Sequence, residues 1–276
     1  MMDVASEKSD EECDLDLYNF FVCEEYVEKK WTFGDIEQPL LCSKMCCTDH
    51  DLTGQIVWPA SILLSWFLYE NRSLFSDSSV IELGAGCGLA GYFVSKMAKA
   101  VTITDGNDIV LRLLQQNKTF LDQDNVRVCK LLWGVTEDIS VLFGDDFPKY
   151  IIGADVILWP NQLLPLLYTI KWLLFGYYEK VHSDTNADTG KAFISYVVRA
   201  NATTELFYKT SKELGLKVAE TPRSCFVPNS CSDFVNLESK LFELTLEKSE
   251  IEKGCNWRNE KISQLEIQIQ QTYLPC

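Results

Sequence analysis

One stretch limits the possible folds more than any other: Val80-Ile81-Glu82-Leu83 runs directly into Gly84-Ala85-Gly86-Cys87-Gly88-Leu89-Ala90-Gly91. An apolar strand that ends in glycines and continues as an apolar helix opens a nucleotide-binding βα unit. Glycine lets the backbone turn sharply and approach a ligand, and the helix N-terminus behind it presents free N–H groups. The run contains G-x-G-x-x-G from Gly86 to Gly91 and an overlapping G-x-G-x-G from Gly84. Asp105 ends the next apolar run, Val101-Thr102-Ile103-Thr104-Asp105, twenty-one residues after Gly84. A carboxylate at that distance can accept both ribose hydroxyls of an adenosine.

The rest of the chain continues the alternation. Strands are expected at Ser79–Leu83, Ala100–Thr104, Val126–Leu132, Tyr150–Ile157, Ala192–Val198, Lys217–Glu220 and within Phe234–Leu246. Helices are expected between them, at Gly88–Ala98, Ile109–Phe120, Gln162–Phe175 and Ala202–Leu214. Such alternation predicts an α/β fold, Rossmann-like, with a seven-stranded mostly parallel sheet and helices on both faces. A helix starting at Pro59 precedes it, with Ile62, Leu63, Trp66, Phe67 and Tyr69 at helical spacing. Before that, short β-like runs between Tyr26 and Lys44 flank Gly34-Asp35 and predict an N-terminal β-hairpin extension. The organisation expected is an acidic, flexible arm over residues 1–25, a catalytic domain over 26–248 and a polar appendage over 249–276.

Charge narrows the partners. The 276 residues carry 25 basic and 40 acidic side chains, a net charge of −15. An acidic chain repels a phosphate backbone, which argues against nucleic acid and leaves a basic protein segment as a partner. Ten acidic and three basic residues fall in the first 30 positions, so that stretch carries seven of the net negative charges and the rest of the chain is less acidic than the total implies. Eleven cysteines are scattered, with only His50 and His182 beside them. The tightest group, Cys42, Cys46 and Cys47, lacks paired C-x-x-C spacing, so no metal site is expected. Unpaired thiols and an N-terminus without a basic-then-apolar leader point to the reducing cytosol or nucleus. The most apolar segment, Leu163 to Tyr178, is interrupted by Pro165, Lys171 and Gly176 and reads as a core helix, with no membrane span.

The glycine turn leaves the nucleotide open. Glu82 sits at the strand end just before Gly84, and a negative charge there suits a cation better than a pyrophosphate. S-adenosyl-L-methionine, with a sulfonium, an ammonium and no phosphate, is favoured on that ground over a dinucleotide.

With these residues in view, the chain resembles the seven-β-strand S-adenosylmethionine-dependent methyltransferases, and within them the protein-lysine methyltransferase group that acts on Hsp70 and valosin-containing protein. The resemblance spans roughly Tyr26 to Lys248. It rests on an ordered series: Thr53-Gly54-Gln55-Ile56-Val57-Trp58-Pro59-Ala60, then Ile81 to Leu89, Val101 to Asp105, Leu132-Trp133-Gly134, and Gly153-Ala154-Asp155. The resemblance implies that Trp58 borders the methionine end of the cofactor and that Gly84, Ala85 and Gly86 approach it through backbone. It implies that Asp105 holds the ribose, Trp133 lies beside the adenine, Ala154 lines the reaction centre and Asp155 orients the substrate amine. A physical reading agrees for the tryptophans, whose faces suit a purine and a sulfonium.

The group usually reads Asp-x-x-Tyr after the fourth strand, whereas this chain reads Asp155-Val156-Ile157-Leu158-Trp159-Pro160. Leu158 removes the phenol, and Trp159 offers an aromatic wall in the substrate pocket instead. The function expected is methyl transfer from S-adenosyl-L-methionine to a protein side chain, lysine favoured, by a monomer. The alternatives are a cofactor-binding pseudoenzyme or interaction module, a methyltransferase for a small molecule or another residue, and a nicotinamide dehydrogenase.

Overall fold

The computed structural model describes residues 25–44, 53–144, 146–181, 189–229, 231 and 236–253. Strands β1 (Tyr26–Phe33) and β2 (Ile36–Ser43) form an antiparallel hairpin in which Phe33 pairs with Ile36. That register leaves Gly34 and Asp35 as a two-residue loop, and Gly34 has φ +59°. The hairpin docks by its buried end. Phe33 meets Trp66 edge-on at 5.3 Å and Phe93 at 4.8 Å, and the Tyr69 hydroxyl donates to Asp35 at 2.7 Å.

Seven further strands make the main sheet: β3 (Ser79–Glu82), β4 (Ala100–Asp105), β5 (Val126–Lys130), β6 (Tyr150–Ala154), β7 (Lys191–Val197), β8 (Leu216–Thr221) and β9 (Ser239–Leu246). Their order is β5-β4-β3-β6-β7-β9-β8. Only β9 runs antiparallel to its neighbours. The chain builds outward from β3 through β4 and β5, then returns to the other side of β3 at β6. This reversal opens a crevice at the carboxyl ends of β3, β4 and β6.

The helices are α1 (Pro59–Glu70), α2 (Leu89–Val94), α3 (Asp108–Leu121), α4 (Thr136–Phe143), α5 (Leu163–Val181), α6 (Asn201–Glu213) and α7 (Lys248–Lys253), with a short helical turn at Arg72–Phe75. They cover both faces of the sheet. Successive strand residues belong to different cores: Val80 and Ile152 face the layer holding Phe33, Leu64 and Phe93, while Ile81 and Ile151 face the layer holding Leu166, Phe207 and Phe242. Strands buried on both faces explain the continuous apolar runs in the sequence. In α5, 14 of 19 residues are buried, so its apolarity serves the core. No helix among the described residues is long and apolar enough to cross a membrane.

Several element ends differ from the sequence expectation, each for a local reason. Helix α2 stops at Val94 instead of reaching Ala98, because the Asn125 side chain donates to the carbonyls of Ser95 and Ala98 and turns the chain into β4. Strand β6 ends at Ala154 instead of Ile157, because Asp155 takes φ +60°. Helix α5 continues past Phe175 to Val181: the Phe147 ring packs where a Cβ on Gly176 would stand. Helix α4 was not anticipated. Phe234, assigned to a strand piece, and Cys46 and Cys47 lie outside the described residues.

The drawn boundary at residue 249 falls inside α7. Glu250 of that helix meets the Nζ of Lys171 at 2.5 Å, with the lysine side chain only 2% exposed. Breaking a buried pair of this kind leaves an uncompensated charge, at a cost of about 3–5 kcal/mol. Asn117 is fully buried. Its side chain exchanges hydrogen bonds with both backbone groups of Leu41 and donates to the Cys87 carbonyl, tying β2 to the glycine turn.

Candidate active site

The crevice at the sheet reversal is a cleft of about 490 Å3, within the range of roughly 300–1,000 Å3 usual for small-molecule sites. Of the residues singled out from sequence, Trp58, Gly84, Ala85, Gly86, Asp105, Trp133, Ala154, Asp155, Leu158 and Trp159 all line it. They come from five separate stretches of chain.

The glycine turn is shaped by what packs on it. A Cβ on Gly84 would stand 2.9 Å from Trp133 and 3.0 Å from Val156, and one on Gly86 would stand 2.9 Å from the Gly54 carbonyl. Both glycines have positive φ, +59° and +54°, so they are required by backbone conformation as well as by space. The Thr53–Gln55 turn thus lies against the glycines. Its Thr53 carbonyl accepts from the Trp58 indole N–H at 2.9 Å, which fixes that ring at the cleft.

Asp105 is held by backbone. Its Oδ2 accepts from the Gly86 N–H and its Oδ1 from the Asn107 N–H, both at 3.0 Å. Burial pushes its carboxyl above the ordinary range, and the three N–H groups of Asn107, Gly86 and Gly106 pull it back. A carboxylate offers about four acceptor positions, so these N–H groups leave at least one for a ligand's hydroxyl. Asn107, two residues on, caps α3 by accepting from Ile109 and Val110 at 2.8 and 3.3 Å. This cap also lines the cleft, and an Asn just before an apolar helix was the sequence signal for it.

Glu82 is not brought to the site. Its side chain lies behind the turn, 2% exposed, and its Oε2 accepts from the Gly91 N–H at 3.0 Å. Burial pushes its carboxyl up to about 8, against the pull of the Gly91 hydrogen bond. It is mostly protonated at neutral pH and places no charge on the cleft. The electrostatic case made for a cationic ligand from Glu82 therefore does not hold; what Glu82 does is close the N-terminal turn of α2.

At the other end of the cleft, β6 pairs with β7 so that Ala154 opposes Ser195, which puts Asp155 beside the end of β7. The Asp155 N–H donates to the Ser195 carbonyl at 2.8 Å. Its carboxylate forms a bidentate pair with Arg199: Nη1 meets Oδ1 at 2.7 Å and Nη2 meets Oδ2. The guanidinium carbon also stands 5.5 Å from the Trp58 ring centroid. Arg199 escaped the sequence reading because it lies 44 residues from Asp155 and only the β6–β7 pairing joins them. Trp159, 44% exposed, and Leu158 form the rim.

The lysine methyltransferase family matches residues 47–186, half of the chain and all but Arg199 of the site just described. This chain belongs to the lysine methyltransferase family. It is 26% identical over 190 residues to human protein-lysine N-methyltransferase EEF2KMT, covering 63% of this chain and 54% of that protein. It is 30% identical over 118 residues to EEF1A lysine methyltransferase 3 of Xenopus tropicalis, covering 42% and 51%. It is 28% identical over 128 residues to the rat histone-arginine methyltransferase METTL23, covering 45% and 56%. The chain thus spans about half the length of these curated relatives.

The cofactor of this family is S-adenosylmethionine, and the cleft has the chemistry to hold it. The glycine turn leaves no side chain between backbone and ligand, Asp105 keeps an acceptor position for a ribose hydroxyl, and the Trp133 ring packed over Gly84 offers an apolar face to a purine.

Proposed function

We propose that the chain transfers a methyl group from S-adenosylmethionine to a side-chain nitrogen of another protein, lysine favoured. One observation carries this reading: Asp155 lines the cleft next to Ala154 and pairs there with a guanidinium that stands over Trp58, a setting in which a carboxylate can orient a cationic side chain toward the cofactor.

The cofactor supplies a methyl activated by its sulfonium, and the protein's part is alignment and exclusion of water. Asp105 holds the ribose and Trp133 the adenine, while Gly84, Ala85 and Gly86 bring backbone to the ligand. Asp155 positions the incoming nitrogen. Val156, Leu158 and Trp159 make its surroundings apolar, and that desolvation favours the neutral amine an in-line attack requires, against the Asp155 charge, which favours the ammonium on entry. The catalytic domain of a cytosolic or nuclear enzyme begins at Tyr26 and extends past residue 248 to include α7, whose Glu250 pairs with the buried Lys171. A net charge of −15 supports a basic acceptor segment.

The experiment is incubation of the purified chain with methyl-labelled S-adenosylmethionine and cell extract, then mass spectrometry of labelled proteins. Label on lysine supports the reading; no label on any protein overturns it. A second reading, cofactor binding without transfer, has one observation in its favour, since Asp155 is already paired with Arg199. The same experiment with calorimetry of S-adenosylhomocysteine separates the two.

A further inference from the structure

We infer that Arg199 is a built-in occupant of the acceptor subsite, so that a cationic acceptor side chain enters by displacing its guanidinium from Asp155. The inference rests on the proposed reading of the cleft and adds the residue that selects what is admitted.

Two groups lining the cleft suit a cation, the Asp155 carboxylate and the Trp58 ring. One guanidinium takes both. Arg199 pairs with both oxygens of Asp155 and stands over Trp58, and its Nη1 also donates to the Val197 carbonyl at 3.1 Å. Fork-to-fork pairing of this kind is the strongest arrangement a carboxylate can find, and a lysine ammonium cannot reproduce it. The Asp155 side chain is 8% exposed, so an unpaired charge there is strongly disfavoured and the subsite always holds one cation or another.

The two partners differ in mobility. Asp155 is fixed: its backbone takes φ +60°, its N–H is bonded to Ser195, and Val197 N–H donates to its Oδ1 at 3.4 Å. Arg199 lies beyond the end of β7, and its side chain is 34% exposed. Rotation of the arginine side chain into solvent frees Asp155 and Trp58 without moving a strand. Because the occupant is tethered, it competes at high effective concentration, and a lone lysine ammonium loses to it. An acceptor gains entry only when its surrounding surface adds contacts elsewhere, for instance on the exposed Trp159. Arg199 is thereby a specificity-determining residue that discriminates against free lysine and arbitrary lysine peptides.

The test measures binding of N-acetyl-lysine methylamide to the full chain saturated with S-adenosylhomocysteine, by calorimetry, in wild type, Arg199→Ala, Arg199→Gln and Arg199→Lys. Circular dichroism of each variant checks folding; the Gln variant keeps the packing on Trp58 should Ala unfold. The expected result is a gain of about tenfold or more in affinity for Ala and Gln, with Lys, a tethered cation without the bidentate fork, between them and wild type. Guanidinium ion at low millimolar concentration is expected to compete with the probe in the Ala variant. N-acetyl-norleucine methylamide, the uncharged counterpart, is expected to gain nothing. Affinity for the lysine probe within twofold of wild type in a folded Ala or Gln variant overturns the inference, as does an equal gain for the norleucine probe. If S-adenosylhomocysteine itself fails to bind wild type, the proposed function fails first; if it binds and the lysine probe gains nothing, only the role of Arg199 fails.

Discussion

The two ends of the cleft are built by different means. At the cofactor end, Asp105 is fixed by two backbone N–H groups, and the glycine turn is fixed by its own positive φ values and by the rings and carbonyl packed on it. At the acceptor end, Asp155 is neutralised by a side chain from a distant segment that reaches partly into solvent. Backbone-built features cannot rearrange without unfolding a strand or a helix start, whereas a side-chain pair exchanges partners by rotation. On the proposed function, rigidity is concentrated where the common cofactor would sit, and adaptability where acceptors would differ.

The largest expected effect tests the rigid end. Asp105→Ala removes a charged acceptor of ribose hydroxyls and releases the Gly86 and Asn107 N–H groups. Hydrogen bonds to a charged group contribute about 1.5–3 kcal/mol each, so losing even one corresponds to a fall of up to about 100-fold in S-adenosylhomocysteine affinity by calorimetry. Unchanged affinity would show that the ribose is held elsewhere. Next comes Gly91→Ala. A Cβ there would stand 2.2 Å from Glu82 Oε2 and 2.8 Å from Ile103, all within a packed interior. Overpacking of this kind costs about 2–3 kcal/mol, read as a lowered urea midpoint. A variant as stable as wild type would mean that the turn behind the cofactor site yields more easily than its packing indicates.

A smaller effect is expected at the adaptable end. Asp155→Asn keeps the shape but removes the charge that positions the acceptor nitrogen, so turnover on an identified protein substrate should fall about tenfold or more. Cofactor affinity should stay within twofold. A parallel fall in cofactor affinity would mean the two ends are not separable, and the contrast drawn between them would not stand.

The same division explains what could be read from sequence. The glycine turn, Asp105 and the alternation that makes the sheet are legible because each is a local pattern whose spacing is set by one βα unit. Trp58, Trp133 and Asp155 depended on a family resemblance, since nothing nearby in sequence distinguishes an indole at a cleft from one in a core. Arg199 carried no local signal; strand pairing alone brings it to Asp155. Glu82 misled because a strand-end residue faces either the crevice or the helix behind it, and the period of two does not say which. In this chain Gly91 leaves room for its carboxyl on the helix side.

That buried carboxyl yields the last prediction, one that probes the rigid end without a ligand and is read as a slope per pH unit. Burial pushes Glu82 from an ordinary value of 4.5 up to about 8. Below pH 4.5 folded and unfolded chains both carry the proton. Between there and about pH 8 only the folded chain keeps it, so the unfolded state binds fewer protons and stability falls as pH rises through the window, levelling off above it. The contribution to the slope is about 1.4 kcal/mol per pH unit at most. Glu82→Gln retains an acceptor for the Gly91 N–H and has no proton to lose, so urea unfolding across pH 5–8 should show a flatter dependence than wild type. The same slope in both proteins would place the titrating group elsewhere. If the variant is flatter and still binds S-adenosylhomocysteine as wild type does, Glu82 supports the glycine turn from behind and takes no part in holding the cofactor.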